Sequence, residues 1–205
     1  ISLFNEDVED IMKLLPRDAN VTLYDKGSPR HIPYRTRNVP NVGRDGHTYL
    51  YHIHDNYHTL APITVFVIGS INTDPVWSAL KKEKLKYVID NLHMVHDTGI
   101  VAWKEHIPFD YDFSIDTFRS SSDSDVKHLK HAHPRPFGRW YEHHIGSIAK
   151  IQTTGFAYNG IFAASDKAIR KYPRRFYKAL LDQLTENSCE TVHYVERIWL
   201  GLLTN

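Results

Sequence analysis

Residues 63–74 read ITVFVIGSINTD, an apolar run that gives way to a glycine and a short polar stretch. β-Branched and aromatic residues dominate positions 63–68, which is typical of a strand buried on both faces of a sheet. Asp74-Pro75 then predicts the start of a helix, with Asp74 as the N-cap and Pro75 at the first helical position. A buried strand, a polar turn and a helix in succession predict one step of an alternating α/β fold.

The rest of the chain repeats this alternation. Further strands are predicted over residues 1–4, 21–24, 99–103 and 156–164, the last with Gly160 in its middle. Helices are predicted between and after these strands, where apolar residues recur at helical spacing. We therefore predict an α/β fold with a mainly parallel central sheet flanked by helices. Two segments without either periodicity, 30–41 and 106–136, are predicted to be irregular.

Length and composition favour a single enzyme-sized domain over residues 1–205. Because the chain begins with Ile1 rather than Met, we expect it to be part of a longer polypeptide that could carry further domains. Lys and Arg number 25 against 24 Asp and Glu, a balance that argues against nucleic acid as a partner. The chain contains no run of about 18 apolar residues, so the sequence does not predict membrane insertion. The lone cysteine, Cys189, fits a reducing compartment, so a soluble, cytoplasmic protein is expected, in the host cytoplasm if the source is viral.

Fourteen histidines raise the question of a metal site. None of them forms an H-E-x-x-H helix, and one cysteine cannot build a Cys-rich zinc site. Surface or hydrogen-bonded histidines are one interpretation, and a single histidine that joins a metal site is another.

Ligands of a doubly wound sheet bind at the carboxyl ends of its strands, so the residues that follow the predicted strands are the first candidates. Asn5 can pair with a base edge or a ribose. Tyr24, Asp25 and Lys26 offer an aromatic face, an acceptor and a cation, and Arg44 suits a diphosphate. Turn formation for Asp25 and a solvated surface charge for Arg44 are the alternatives. Neither a P-loop nor a G-x-G-x-x-G fingerprint occurs, so side chains and a metal would have to hold the phosphates of any nucleotide.

Several segments together resemble a known family. They read NEDVEDIMKLLP, VTLYDKG, PNVGRDGHTYLYHIHDNY, ITVFVIG, NGIFAASDKAIRKYPRRFYKALL and HYVERIW. In these segments the chain resembles small GT-A-type glycosyltransferase domains, such as the N-terminal glycosyltransferase domain encoded by chlorella viruses and related fungal and viral domains of unknown function. The resemblance covers nearly the whole chain. It implies a GT-A-like fold, a UDP-sugar donor, a glycan acceptor and a divalent cation, usually Mn²⁺.

On this resemblance the uridine of the donor would lie against Asn5 and Asp25, with Phe4 and Tyr24 as neighbours. Arg44 would lie on the pyrophosphate side.

GT-A enzymes usually carry an Asp-x-Asp motif after the strand that corresponds to residues 63–68. The matching place here is Ser70-Ile71-Asn72, so the acidic pair is absent. The oxygens of Ser70, Asn72 and Asp74 predict a weak cation site that UDP oxygens complete, with Asn72 and Asp74 as metal ligands and Ser70 on the nucleotide side. Asp74 could equally act only as a helix cap.

The sugar-binding half of the site would come from the later segments. Asn159 and Gly160 would let a hydroxylated ligand approach the backbone. Glu196, in HYVERIW, corresponds to a glutamate of the family and is a candidate base or sugar-hydroxyl partner, with a plain ion pair as the alternative. Trp199 is expected to lie in the core.

The sequence therefore favours a metal-dependent glycosyltransferase that moves a sugar from a UDP-sugar to a carbohydrate hydroxyl during glycan synthesis. A histidine-rich metal-dependent hydrolase of a phosphate ester or sugar nucleotide is the alternative. A carbohydrate-binding module is a third hypothesis; it would use the aromatic residues Trp77, Trp103, Trp140 and Tyr141.

Overall fold

A computed structural model of the chain describes residues 1–28, 30–73, 75–103, 109–118, 126, 128–149 and 156–205. Its elements alternate between strand and helix, as the sequence predicts, and give a mixed α/β fold.

The first sheet contains three parallel strands in the order β1-β2-β3. These strands are β1 (Ser2–Leu3), β2 (Leu23–Asp25) and β3 (Thr36–Asn38). β3 falls in the segment 30–41 that the sequence predicts to be irregular, and that prediction is wrong there. The strand has no apolar pattern of its own; backbone pairing with β2 decides its conformation, which is a tertiary effect.

The second sheet is antiparallel, in the order β4-β6-β5. Its strands are β4 (Ile63–Phe66), β5 (Ile100–Ala102) and β6 (Phe162–Ser165). The prediction of a mainly parallel sheet is therefore confirmed for the pairings of the first sheet and wrong for those of the second. The second sheet departs from the prediction because β6 lies between β4 and β5 and runs antiparallel to both.

A parallel bridge between Ser2 and Ile68, with a hydrogen bond from the Ser2 N–H to the Val67 oxygen (2.9 Å), joins the two sheets. β4 runs parallel to β1, and β5 runs parallel to β4 because both are antiparallel to β6. The carboxyl ends of β1 to β5 and the amino end of β6 thus lie along one edge, which we call the carboxyl edge. Strand order reverses between β1 and β4, and such a reversal is where α/β sheets bind their ligands.

The helices flank these sheets. They are α1 (Glu9–Leu14), α2 (Arg44–Asp55), α3 (Pro75–Asp90), α4 (Val95–Thr98), α5 (Ile115–Phe118), α6 (Phe137–His144), α7 (Asp166–Ile169), α8 (Arg174–Leu181) and α9 (Thr191–Leu203). Within the described ranges, no helix is long and apolar enough to cross a membrane.

Aromatic rings from four elements meet in the core between α2, α9 and the second sheet. Phe66 and Phe162 lie 4.8 Å apart between ring centroids, Tyr49 lies 4.9 Å from Phe66, and Trp199 lies 5.2 Å from Phe162. Trp199 is 1% exposed, which confirms its predicted place in the core. The packing of these rings fixes the amino-terminal half of α2 against α9.

Gly160 does not lie inside a strand as predicted. A 3₁₀ turn, Tyr158–Gly160, precedes β6, and both Asn159 (φ 69°) and Gly160 (φ 59°) adopt the left-handed conformation. Extended strand geometry is incompatible with these angles, so the strand begins only after the turn.

Candidate active site

The amino terminus of α2 is held in place by residues that are distant in sequence. Gly43 (φ 60°) and Arg44 (φ 49°) both adopt the left-handed conformation there, and a Cβ on Gly43 would lie 2.6 Å from the Cβ of Leu184. The buried Lys26 ammonium donates to the carbonyl oxygens of Val42 (2.6 Å) and Arg44. The Arg44 N–H donates to Asn187 Oδ1 at 3.2 Å. Lys26, predicted as a nucleotide ligand, thus has a clear role in fixing the helix start.

Two carboxylates meet beside this helix start. Asp45 and Glu196 line a pocket of about 60 Å³ together with Arg44, Gly46 and Val192. Burial raises the pKa of Glu196, and the negative charge of Asp45 raises it further. Burial also raises the pKa of Asp45, against the opposing charges of Lys26 and Arg44. A raised pKa makes a carboxylate a stronger base, so this pair beside an arginine is suited to proton transfer.

Asp45 precedes the apolar positions of α2 in the sequence, where an aspartate is typical of a helix cap. The structure places it inside the first turn of α2, with Gly43 at the N-cap position. Its neighbour Glu196 comes from α9, so the pair is formed by tertiary packing. Local sequence around Asp45 carries no sign of it.

The 3₁₀ turn before β6 completes the pocket. The Asn159 N–H donates to Glu196 Oε1 at 3.2 Å, and the Tyr49 hydroxyl donates to the Gly160 oxygen at 2.7 Å. A Cβ on Gly160 would overlap Asp45 Oδ2, so only glycine allows this close approach of backbone and carboxylate. Asn159 and Glu196, both predicted in the sugar-binding half of the site and both candidate catalytic residues, are in contact.

Asn5 and Asp25 lie at the carboxyl edge as predicted, but their polar atoms bond to neighbouring loops. Asn5 Oδ1 accepts from the Ser28 N–H at 3.0 Å. Asp25 Oδ1 accepts from the Gly27 N–H at 3.0 Å, and its Oδ2 pairs with Arg30 Nε at 3.1 Å. These contacts tie the loop after β1 to the turn after β2. Their role towards a nucleotide stays a prediction.

The two predicted aromatic neighbours of the uridine differ in placement. The Phe4 ring is 52% exposed at the carboxyl edge and is free to stack on a base. Tyr24 points the other way: its ring is buried and its hydroxyl is 2.8 Å from His52 Nδ1 on α2. The structure therefore separates Tyr24 from the strand-end loops.

Tyr24 lines a second, larger cavity of about 600 Å³, next to Thr22, His52 and Ile63. Size alone would make this cavity the first candidate for a binding site. Its lining includes residues before and within β2, the whole of β4 and part of α2. We take the smaller pocket as the candidate active site because Arg44, Asp45 and Glu196 converge there.

The described residues of the predicted cation site have hydrogen-bond partners within the protein. The Asn72 side chain is exposed, and its amide nitrogen approaches Asp10 Oδ2 at 3.4 Å. The Ser70 carbonyl accepts from the Lys81 ammonium at 3.0 Å. Asp74 lies outside the described residues. Among those described, no group of three or more His, Cys, Asp or Glu side chains could hold a metal ion, and the cation site that UDP oxygens would complete stays a prediction.

The same observation bears on the two alternative functions. A hydrolase with a histidine-bound metal needs a histidine cluster, and the described part of the chain forms none. A carbohydrate-binding module would need exposed aromatic rings, whereas Trp140 is 0% and Tyr141 is 2% exposed. Trp77 and Trp103 are the members of that set with accessible rings.

Two histidines of α2 predict that acid destabilises the protein. Burial lowers the pKa values of His47 and His52 to about 4, and the buried His47 Nδ1 has no hydrogen-bond partner among the described residues. Because an unfolded histidine titrates near 6.5, the unfolded state binds more protons between about pH 6.5 and 4. Stability is therefore full above pH 6.5 and falls towards pH 4, by up to about 3 kcal/mol for each histidine.

Urea unfolding at pH 7 and pH 4.5 measures this loss. We expect His52→Gln and His47→Gln to reduce the difference in stability between the two pH values, and His58→Gln, at an exposed position, to leave it unchanged. An equal pH dependence in all four proteins would assign the acid sensitivity to other groups.

A family model described as "Protein of unknown function (DUF3431)" matches residues 2–205. No curated protein and no solved structure matches the chain. The matched range contains Arg44, Asp45, Asn159 and Glu196, so the whole pocket lies within the family's domain.

Proposed function

The chain belongs to the DUF3431 family, whose function is unknown, and we propose that it is a glycosyltransferase that moves a sugar from a UDP-sugar to a carbohydrate hydroxyl. The observation that carries the proposal is the convergence of Arg44, Asp45 and Glu196 in one pocket at the carboxyl edge. These residues come from the two segments, NVGRDGHTYL and YVERIW, that are most specific to the resemblance.

The strand arrangement supports this proposal. Strand order reverses between β1 and β4, and the predicted uridine-side residues Phe4 and Asn5 directly follow β1. β6 runs against the other strands, which brings Asn159 from its amino end to the same edge. A GT-A-like fold, as the resemblance implies, is the finer description that we propose for this α/β architecture.

Glu196 is proposed to act as the base. In the reaction a bond forms between the acceptor oxygen and the anomeric carbon, while the bond from that carbon to the diphosphate oxygen breaks. The acceptor proton passes to the Glu196 carboxylate, and the electron pair of the broken bond leaves with UDP. The Asp45 charge keeps the pKa of Glu196 raised, which strengthens it as a base.

Arg44 is proposed to stabilise the negative charge of the departing diphosphate, because a guanidinium forms paired hydrogen bonds to phosphate oxygens. Asn159 positions the base through its N–H and is not required to touch the reacting atoms. Mn²⁺ stays a prediction from the resemblance, and none of these steps depends on it.

Incubation with a panel of UDP-sugars, with products separated by chromatography, tests the proposal. A glycosyltransferase releases UDP, and in the absence of acceptor it releases UDP slowly through transfer to water. Release of UMP and a sugar phosphate would indicate a sugar-nucleotide hydrolase instead. Failure to bind or convert any UDP-sugar would overturn the proposal.

Arg44→Ala is expected to weaken UDP binding by about 1.5–3 kcal/mol and uridine binding much less, because the charge-assisted contact is to phosphate. Calorimetric titration with both ligands measures the difference. Arg175→Ala, at an exposed position of α8, is the matched control and should change neither affinity. Equal losses for UDP and uridine would mean that Arg44 supports the fold or contacts the base.

A further inference from the structure

Two buried lysines of α3 reach the carboxyl edge. Lys81 is 9% and Lys84 is 2% exposed. Lys81 Nζ donates to the Ser70 oxygen after β4 at 3.0 Å, and Lys84 Nζ donates to Asn159 Oδ1 before β6 at 2.9 Å. Residues three apart lie on one helix face, so α3 presents two ammonium groups to neighbouring strand ends.

Lys81 lies at the turn where the resemblance predicts a cation. A divalent ion bound through the Ser70 and Asn72 oxygens would be repelled by this ammonium a few ångströms away. Glu6, whose Oε2 approaches Gly69 on the other side of this turn, already accepts a hydrogen bond from the Phe4 N–H. Lys81 therefore already supplies the positive charge that a metal would supply at this turn.

Burial of an ammonium group is costly unless it is paired or hydrogen-bonded, so each buried lysine needs partners for its donors. An ammonium has three donors, and the Ser70 carbonyl takes one from Lys81. The remaining donors suit the oxygens of a phosphate.

We propose that Lys81, assisted by Lys84, compensates the charge of the bound diphosphate, so that a nucleoside diphosphate binds to this protein without a divalent cation. The inference rests on the proposed glycosyltransferase function and specifies how its site handles the phosphates. Arg44 approaches the diphosphate from α2 and the two lysines approach it from α3, across the reversal of strand order between β1 and β4.

Calorimetric titration of UDP into the full chain, once with excess EDTA and once with Mn²⁺, tests the proposal. We expect the two affinities of the wild-type protein to agree within about threefold. Lys81→Met should lower UDP affinity by about tenfold or more in EDTA, while uridine affinity stays unchanged. Lys81→Arg, which keeps the charge, should retain most of the affinity.

Lys86→Met is the matched control, because it makes the same change at an exposed position of the same helix and should leave UDP affinity as it is. Circular dichroism and thermal unfolding establish that each variant is folded. Should Lys81→Met not fold, the wild-type titration in EDTA and the Lys81→Arg variant still decide the question.

UDP binding that requires Mn²⁺ and survives Lys81→Met would overturn this inference and leave the proposed function standing. UDP binding in neither condition would count against the proposed function and the lysine site together. Equal losses in Lys81→Met and Lys86→Met would show a general charge effect and would also overturn the inference.

Discussion

Glu196→Gln is expected to lower sugar transfer by about 10²- to 10⁴-fold, the usual contribution of a general base, while UDP affinity changes little. The glutamine carbonyl can still accept the hydrogen bond that Glu196 Oε1 receives from the Asn159 N–H. The variant thus removes the proton acceptor and preserves the local geometry. Initial rates of UDP release in the presence of acceptor, together with calorimetric UDP affinity, separate the two effects.

Two companion variants make this test specific. Glu83→Gln changes an exposed carboxylate of α3 and should leave the rate unchanged. Asp45→Asn removes the charge that raises the pKa of Glu196, so the acid limb of the pH–rate profile should move to lower pH. A Glu196→Gln enzyme with near wild-type rate would show that the base is another residue, and an unmoved acid limb in Asp45→Asn would show that the two carboxylates are not coupled.

The second large effect is expected at Glu190, which is fully buried at the start of α9. Its Oε1 accepts from the Ile115 N–H (3.2 Å) and pairs with Arg135 Nη2 (3.0 Å), and its Oε2 accepts from the Ala132 N–H (3.0 Å). Glu190→Gln breaks the ion pair and turns an amide N–H₂ towards one of its donors. We expect a loss of about 3 kcal/mol in the free energy of unfolding.

Urea unfolding measures this loss, and hydrogen exchange of the Ile115 and Ala132 amides locates it. Glu186→Gln, four residues earlier and with a side chain 46% exposed, should cost less than about 0.5 kcal/mol. If Glu190→Gln lowered the free energy of unfolding equally little, the hydrogen bonds of Glu190 would stabilise the protein little more than the hydrogen bonds that the same groups make with water in the unfolded chain. Slow amide exchange maintained in the variant would lead to the same conclusion.

The contacts of Glu190 also explain why the prediction of irregular structure is wrong for part of residues 106–136. Serines, prolines and scattered charges in that segment predict irregular structure. In the described part of this segment, Ile115–Phe118 forms α5. The first amide of this helix, the Ile115 N–H, donates to the buried carboxylate of Glu190, which lies more than 50 positions later in the sequence. A single-sequence pattern contains no information about so distant a partner.

The positions of Arg44 and Glu196 in the pocket could be predicted, because local periodicity locates helix starts and strand ends, and the resemblance selects the residues. Lys81 and Lys84 could not be found in this way. Lysines at helical spacing usually face water, and their burial here depends on how α3 packs on the strand ends. The reversal of β6 was missed for the same reason, since strand direction is set by the path of the connecting chain.

Asn5 and Asp25 show a different limit. Their place at the carboxyl edge follows from strand ends alone, and it was predicted correctly. That their side chains already bond to Ser28, Gly27 and Arg30 depends on how two loops meet. Sequence can place a polar residue at an edge, but its hydrogen-bond partners are decided by tertiary structure.

The pocket draws on segments from the whole length of the chain, and the helix start at Arg44 is held by Asn187, 143 positions later. During synthesis, the residues up to α8 therefore leave the ribosome before Glu196 does. Arg44 and Asp45 are then present in the chain without Glu196. Glu196, the proposed base, is synthesised after Arg44 and Asp45, so a chain released before α9 lacks it. The proposed activity therefore requires that synthesis has run through α9, and chains that stop earlier are expected to lack it.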